Sequence, residues 1–430
     1  MGVNRPNSGC PRRQTKREYR RFGREVERGN QKVKNENINN MKVINTEHLP
    51  IKLWLDDIED GALDQAKNLA NLPFAFKHIA IMPDSHQGYG MPIGGVMATK
   101  GVIIPNAVGV DIGCGMCAVK TSLTEIDTKT LKKIMDKIRE VIPVGFAHQK
   151  TKQDKKLMPE AEYSNVVNRE YENALSQIGT LGGGNHFIEI QKGNDDHIWI
   201  MVHSGSRNLG FRVANYYNKL AVELNQKWFS QVPKKWELAF LPINIKGARS
   251  YIKEMNYCIQ FAFANRKLMM DRIIKQIKLV YFQYGDIPCP KFEPMINIAH
   301  NYAKFENHFS NNVMVHRKGA TLATKNTIGI IPGSQGTSSY IVKGRGNPES
   351  FQSCSHGAGR KMGRKQAQRT LNLEEEKKKL DEQGIIHAIR VEKDLDEAPG
   401  SYKDISVVMK NQKDLVDILV ELKPLAVIKG

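Results

Sequence analysis

Between Met41 and the C-terminus, short apolar runs of strand-like texture end repeatedly in glycine-rich turns, and five of these turns carry a histidine or a cysteine. They are Val110-Asp111-Ile112-Gly113-Cys114-Gly115, Gly182-Gly183-Gly184-Asn185-His186-Phe187, Val202-His203-Ser204-Gly205-Ser206-Arg207, Ala299-His300-Asn301-Tyr302 and Ser355-His356-Gly357-Ala358-Gly359-Arg360. Functional sites are built in loops at strand ends, and glycine lets backbone N–H groups come close to a phosphate. A single turn of this kind is weak evidence, since a lone histidine is usually just a satisfied polar residue. Five together are hard to attribute to packing.

The pattern around the turns predicts an α+β fold: one large mixed α/β domain over residues 41–430. Strands are expected at Ile79–Met82, ending at Pro83, at Gly101–Ile104, at Trp199–Val202, which delivers His203, and at Asn326–Ile331. Leu131, Ile134, Ile138 and Ile142 repeat at helical spacing, with Asp127 or Thr128 as cap. Residues 252–281 read as a long apolar-striped helix and residues 365–383 as a charged helix stopped by Gly384. There is no internal repeat and no Gly/Ser linker.

Residues 1–40 differ in texture. They hold 11 Lys/Arg against 4 Asp/Glu, a net of +7 out of the chain's +19, with almost no apolar periodicity. A basic, disordered extension is expected there, with Met41 near the start of the folded unit and a candidate translation start. The remaining +12 favours anionic partners such as RNA or nucleotides, with a solubility role as the plainer alternative. Six cysteines in 430 residues do not suggest a disulfide framework. No apolar stretch approaches the ~20 residues of a membrane span, and no secretory h-region appears. A cytoplasmic protein is the expectation.

Cysteine, histidine and aspartate all donate to divalent transition metals. Cys114-Gly115-Met116-Cys117 has C-x-x-C spacing, but no second close pair follows, as a structural zinc site would need. A thioredoxin-like role would want the pair opening a helix. An isolated cysteine with Asp111 and distant histidines fits an open catalytic site better. Pro332-Gly333-Ser334-Gln335-Gly336-Thr337-Ser338-Ser339 could hold a nucleotide through N–H and O–H donors, although it is neither a Walker loop nor a dinucleotide fingerprint. Arg207 and Arg360 stand near candidate histidines and could grip phosphate oxygens.

With these motifs assembled, the chain resembles the RtcB-type RNA ligases, also called tRNA-splicing ligases. The resemblance covers about Met41 to Gly430 and rests on VDIGCGM, LGGGNHFIE, VHSGSR, AHNYA, HRKGAT, PGSQGTSSY, SHGAGR and DEAPGSYKD, in that order. It implies joining of RNA ends that bear a 3′-phosphate or 2′,3′-cyclic phosphate to 5′-hydroxyl ends, with GTP and two manganese ions. It implies His356 as the nucleophile that takes up GMP. Asp111, Cys114, His186, His203 and His300 are the implied metal ligands, with Cys114 bridging. Asn185, Phe187, Glu189, Ser334, Ser339, Tyr402 and Lys429 match positions that hold the guanine nucleotide, and Arg207 matches one that binds the RNA phosphate. A monomer is implied, with an archease-like activator as a possible partner. Cys117 is expected to be packing. His316, Asp84 and His86 have no assigned role; a structural turn is the preferred reading of the last two, with metal binding or proton transfer the alternative. Two other function classes compete: a dinuclear metal phosphoesterase acting on RNA phosphate ends without joining them, and an RNA-binding module whose catalysis has lapsed.

Overall fold

The computed structural model describes residues 41–284 and 288–430, which lie within one compact unit, Asn40–Gly430. The expected disordered extension over residues 1–40 falls outside the described residues. In chain order the strands are β1 Lys42–Ile44, β2 Ile51–Leu53, β3 Ala75–His86, β4 Ile93–Thr99, β5 Val102–Ile103, β6 Gly115–Lys120, β7 Phe187–Gly193, β8 Ile198–Ser204 and β9 Leu241–Pro242. They continue as β10 Ile296–Ala299, β11 Asn301–His308, β12 Asn311–Lys318, β13 Ala320–Leu322, β14 Ile328–Ile331, β15 Ser339–Gly344, β16 Ser353–Ser355 and β17 Val416–Lys429. The α-helices are α1 Asp60–Ala70, α2 Pro105–Val108, α3 Thr128–Val141, α4 Asn165–Gln177, α5 Arg207–Lys227, α6 Lys246–Tyr284, α7 Arg364–Thr370, α8 Leu373–Asp381 and α9 Ile405–Asn411. Among the described residues no helix is long and apolar enough to cross a membrane.

Two sheets carry the fold. One runs β1-β2-β3-β4-β12-β11 and the other β10-β6-β8-β7-β17-β15-β14. Alternation along the strands explains how they stack. Ile79 and Ile81 of β3 pack with Ala66 and Leu69 of α1, while Ala80 and Met82 pack with Ile331, Tyr340 and Val342 of the other sheet. A strand buried on both faces needs apolar residues at both parities, which the IAIM run supplies. The seven-stranded sheet turns Val119, Ile188, Ile190, Ile200, Val202 and Ile428 toward α3 and α6. The opposite parity, Phe187, Glu189, Met201, His203 and Lys429, therefore faces away from those helices.

Three local expectations change. β3 continues past Pro83 to His86, but its pairing with β4 is broken between Ile81 and His86. Pro83 has no N–H to give a ladder, so it sits in the gap of that interrupted register rather than ending the strand. The strand expected over Gly101–Ile104 shrinks to two residues, because Gly101 has φ +72° and Pro105 opens α2. The single charged helix of 365–383 is two helices, α7 and α8. Asn372 breaks it: its side chain accepts from the N–H groups of Glu374 and Glu375 at 2.9 and 3.2 Å, a capping role asparagine fills better than a helix interior. Asp127 caps α3 in the expected manner, accepting from Lys129 and Thr130.

Candidate active site

Strand ends bring the histidine turns together. Antiparallel register aligns Lys429 with Phe187, Phe187 with His203, and His203 with Met116, so all four lie in one row on the same face. Cys114 precedes β6, two residues before Met116 of that row, and His186 precedes β7, one residue before Phe187. His300 is the single residue between β10 of one sheet and β11 of the other. Its N–H donates to the Cys114 carbonyl at 2.8 Å. His356 follows β16, which pairs with β13 immediately beyond β12.

The side chains converge. Cys114 Sγ lies 3.5 Å from His186 Nε2 and 3.3 Å from His203 Nε2. His186 Nε2 is 3.1 Å from Asp111 Oδ2. Ring centroids are 5.1 Å apart for His186 and His203, 5.2 Å for His203 and His300, and 4.8 Å for His300 and His356. All five candidate ligands and His356 thus share one place in the fold.

Three features fit a cation. His186 Nδ1 meets the Leu181 carbonyl at 2.9 Å and His203 Nδ1 the Asn185 carbonyl at 3.1 Å. A carbonyl only accepts, so each ring carries its proton on Nδ1 and offers the Nε2 lone pair inward. Burial, with neighbouring histidines adding to it, holds His203 and His300 far below the usual histidine range, so both rings are neutral at pH 7. The Sγ–Nε2 separations match the ligand–ligand edge of a tetrahedral ion with bonds of about 2.0–2.3 Å. Burial and then Asp111 push the Cys114 thiol well above its ordinary value, so it stays protonated unless a cation displaces the proton.

His356 has a partner that the sequence left unassigned. Its Nδ1 donates to Asp84 Oδ2 at 2.5 Å, and the same oxygen accepts from the backbone N–H of His356 at 3.0 Å and of Gly357 at 3.3 Å. Asp84 is fully buried. It fixes the tautomer and leaves Nε2 as the free nitrogen, the arrangement an imidazole nucleophile needs. The turn reading of Asp84 is therefore too modest; its sequence signal was the polar run Asp84-Ser85-His86 that follows the apolar stretch Ile79–Met82. His86 contacts the Asp84 carbonyl at 3.0 Å. His316 is structural: its Nε2 accepts from the Ile104 N–H at 3.0 Å, and burial lowers it to about 4. Cys117 is packing, with its thiol pushed up by burial to about 12.

The residues matched to nucleotide binding form two linked chains. Glu189 is buried, and burial raises its carboxyl to about 8 against the pull of Lys429. Gln191 Nε2 donates to Glu189 Oε2 at 2.6 Å and to Ser339 Oγ at 3.1 Å. Ser334 Oγ lies 2.9 Å from Thr337 Oγ1, closing the glycine and hydroxyl loop. On the other side Lys429 Nζ sits 5.5 Å from the Phe187 ring centroid and donates to Glu397 Oε2 at 2.9 Å. Tyr402 donates to the same oxygen at 2.5 Å, and Arg360 pairs with Glu397 Oε1 at 3.2 Å. Arg360 is thus committed to a carboxylate. Glu397 stands within DEAPGSYKD, yet only Tyr402 of that stretch was singled out. Asn185 contributes its carbonyl to His203, and its own residue is exposed.

Arg207 opens α5 with φ +59°, a strained value for a residue with a side chain. Its guanidinium donates to Thr180 Oγ1 at 3.1 Å and to the Gly145 carbonyl at 3.2 Å. A Cβ on Gly182, itself at φ +96°, would fall 2.1 Å from an Arg207 nitrogen, so only glycine leaves that arginine its place.

Behind the site two polar residues of α6 brace the turns. Arg266 is fully buried and donates to Gly113 and Ser204 carbonyls at 2.9 and 2.8 Å and to Asn297 Oδ1 at 2.7 Å. Asn265 accepts from the Gly179 N–H at 2.7 Å and donates to the Gly205 carbonyl at 3.1 Å. Their signal was an Asn-Arg pair inside the apolar stripe of residues 252–281. Arg266→Met is expected to destabilise the fold by about 3–5 kcal/mol, since two buried acceptors and a half-buried one lose a charged donor. A urea midpoint unchanged from the parent would contradict this.

The model of the family described as tRNA-splicing ligase RtcB matches residues 65–167 and 150–430. An RNA-splicing ligase RtcB from Escherichia coli strain K12 is 37% identical over 411 residues, spanning 91% of this chain and 100% of the relative. An RNA-splicing ligase RtcB1 from another Escherichia coli strain is 38% identical over 411 residues with the same coverage. A tRNA-splicing ligase RtcB from Thermococcus kodakarensis is 30% identical over 460 residues, spanning 89% of this chain and 95% of the relative. With the matched model covering most of the chain and relatives aligned nearly end to end, the protein belongs to the RtcB tRNA-splicing ligase family.

Proposed function

We propose that this protein is a GTP-dependent RNA ligase that joins a 3′-phosphate or 2′,3′-cyclic phosphate end to a 5′-hydroxyl end through a GMP–His356 intermediate. The observation that carries this reading is the Asp84–His356 pair set 4.8 Å, ring to ring, from His300 of the candidate metal cluster. The cluster would suit a phosphoesterase as well; Phe187 and Lys429, matched to the guanine nucleotide and in cross-strand register with His203, favour the ligase.

Asp84 accepts a hydrogen bond from Nδ1–H, which keeps that proton on the ring, so the Nε2 lone pair of His356 attacks the α-phosphorus of GTP and pyrophosphate leaves. The ring is then cationic, and the Asp84 carboxylate stabilises it. An oxygen of the RNA 3′-phosphate attacks the same phosphorus, the N–P bond breaks, and the RNA end carries GMP. The 5′-hydroxyl of the second RNA attacks the 3′-phosphorus, its proton passes to water, and GMP departs. Arg207 would hold the RNA phosphate bidentately. Asp111, Cys114, His186, His203 and His300 would hold two divalent cations, for which manganese is our proposal, and these supply charge neutralisation for the phosphate oxygens. Availability decides among divalent metals at such a donor set.

Glu189 would accept from the N1–H and amino group of guanine, and Lys429 would donate to its carbonyl oxygen. Only an ionised Glu189 accepts both bonds. Its carboxyl is raised to about 8, so the protein is expected to bind GTP more tightly as pH rises from 6 to 8. The KM for GTP should fall about fiftyfold over that range, as the ionised fraction climbs from about 1% to about 50%. The slope should vanish in Glu189→Gln, and a KM that rises with pH would contradict the assignment.

The direct test is incubation with α-labelled GTP and manganese followed by a denaturing gel. Acid-labile label on the protein, passed on to RNA bearing a 3′-phosphate, is the expected result. Phosphate release from RNA ends with no label on the protein would replace the proposal by the phosphoesterase.

A further inference from the structure

Phe146 is completely exposed, at 103% of its reference area, although the turn that carries it is hydrogen-bonded on both sides of it. The Ala147 N–H donates to the Val144 carbonyl at 3.1 Å, closing a tight turn with Gly145 at φ +61°. A positive φ at that position suits glycine. The turn is docked on the glycine motif of the active site: Val144 bridges to Gly182, Gly145 N–H donates to the Gly182 carbonyl at 2.8 Å, and Leu181 N–H donates to the Pro143 carbonyl at 2.9 Å. The Arg207 guanidinium reaches the Gly145 carbonyl at 3.2 Å. A phenyl ring with both faces open to water is thus held one residue from the arginine assigned to the RNA phosphate. Downstream, Lys150, Lys152 and Lys156 are exposed.

We infer that Phe146 is the stacking platform for the 3′-terminal base of the RNA whose phosphate Arg207 holds; this rests on the RNA-ligase reading above. A base and its own 3′-phosphate are one ribose apart, which suits adjacent residues that bind one each. Single-stranded RNA ends are recognised by stacking unpaired bases on aromatic rings, which tolerates any sequence, with basic side chains following the backbone. The anchored turn means that little order is lost when the base arrives. The open ring faces and the Arg207 contact favour a base over a protein partner, which would be expected to use a broader apolar patch.

The test uses the full chain and a single-stranded RNA ending in a 3′-phosphate with 2-aminopurine as its last base. The parent protein is expected to quench the 2-aminopurine fluorescence, and Phe146→Ala to abolish the quench. Phe146→Ala should need about tenfold or more RNA for half-maximal joining, with GMP labelling of the protein in the absence of RNA unchanged. Phe146→Trp should restore both properties. Phe229→Ala, at another exposed phenylalanine just past the far end of α5, about 30 Å from Arg207, should behave as the parent. Parent-like quenching or RNA dependence in Phe146→Ala, failure of Trp to rescue, or loss of GMP labelling would each overturn the inference. If the parent itself takes up no GMP, the ligase reading fails, and the quench still decides whether Phe146 stacks on the base.

Discussion

Asp84→Asn is expected to slow GMP transfer to His356 by about 10²- to 10⁴-fold while leaving the protein folded. An amide oxygen would still take the Nδ1 proton, but the amide carries no charge to stabilise the ring cation that forms on attack. It can also turn its NH₂ toward Nδ1, which would shift the proton to Nε2 and remove the nucleophile's lone pair. The loss should fall on the rate of labelling, with the KM for GTP nearly unchanged, because Asp84 touches no residue matched to guanine. His356→Ala should give no label at all. Labelling at the parental rate in Asp84→Asn would mean that the 2.5 Å contact orients nothing that matters.

Cys114→Ala is expected to abolish labelling and to weaken manganese binding by at least about tenfold to a hundredfold. Sγ lies within hydrogen-bonding distance of both His186 and His203, so its loss opens the centre of the cluster rather than its edge. Manganese binding can be read without any turnover, from the spectroscopic signal of the free ion. Since Cys114 is buried and small, alanine should cost little stability, and retained thermal unfolding would separate lost metal from lost fold. Full labelling in this variant would remove the thiol from the ligand set.

The motifs alone pointed to the residues of the candidate site. Asp111, Cys114, His186, His203, His300 and His356 are separated by up to 245 positions, yet each stands in a short motif beside an apolar run, glycine-rich in every case but the AHNYA motif of His300, and strand ends bring these motifs together. What surrounds them was much less legible. Asp84 reads as a turn residue because its meaning depends on a partner 272 positions away. Glu397 looks like part of a loop until Lys429, Tyr402 and Arg360 are seen to meet on it. Asn265 and Arg266 look like interruptions of a helix stripe until their carbonyl partners appear.

The division has a physical basis. Strand alternation, helix spacing, capping and the need for glycine at close approaches act over a few neighbouring residues, so the sequence by itself determined the mixed α/β character, the strands that end in histidine turns, and the chemical types gathered there. The pairing of β7 with β17 and the carboxylate behind His356 depend on contacts between residues hundreds of positions apart, and the tautomers of His186 and His203 on carbonyls that only the folded turns bring to the rings. Those were decided only when two sheets closed on one another and His300 was fixed at the crossing between them.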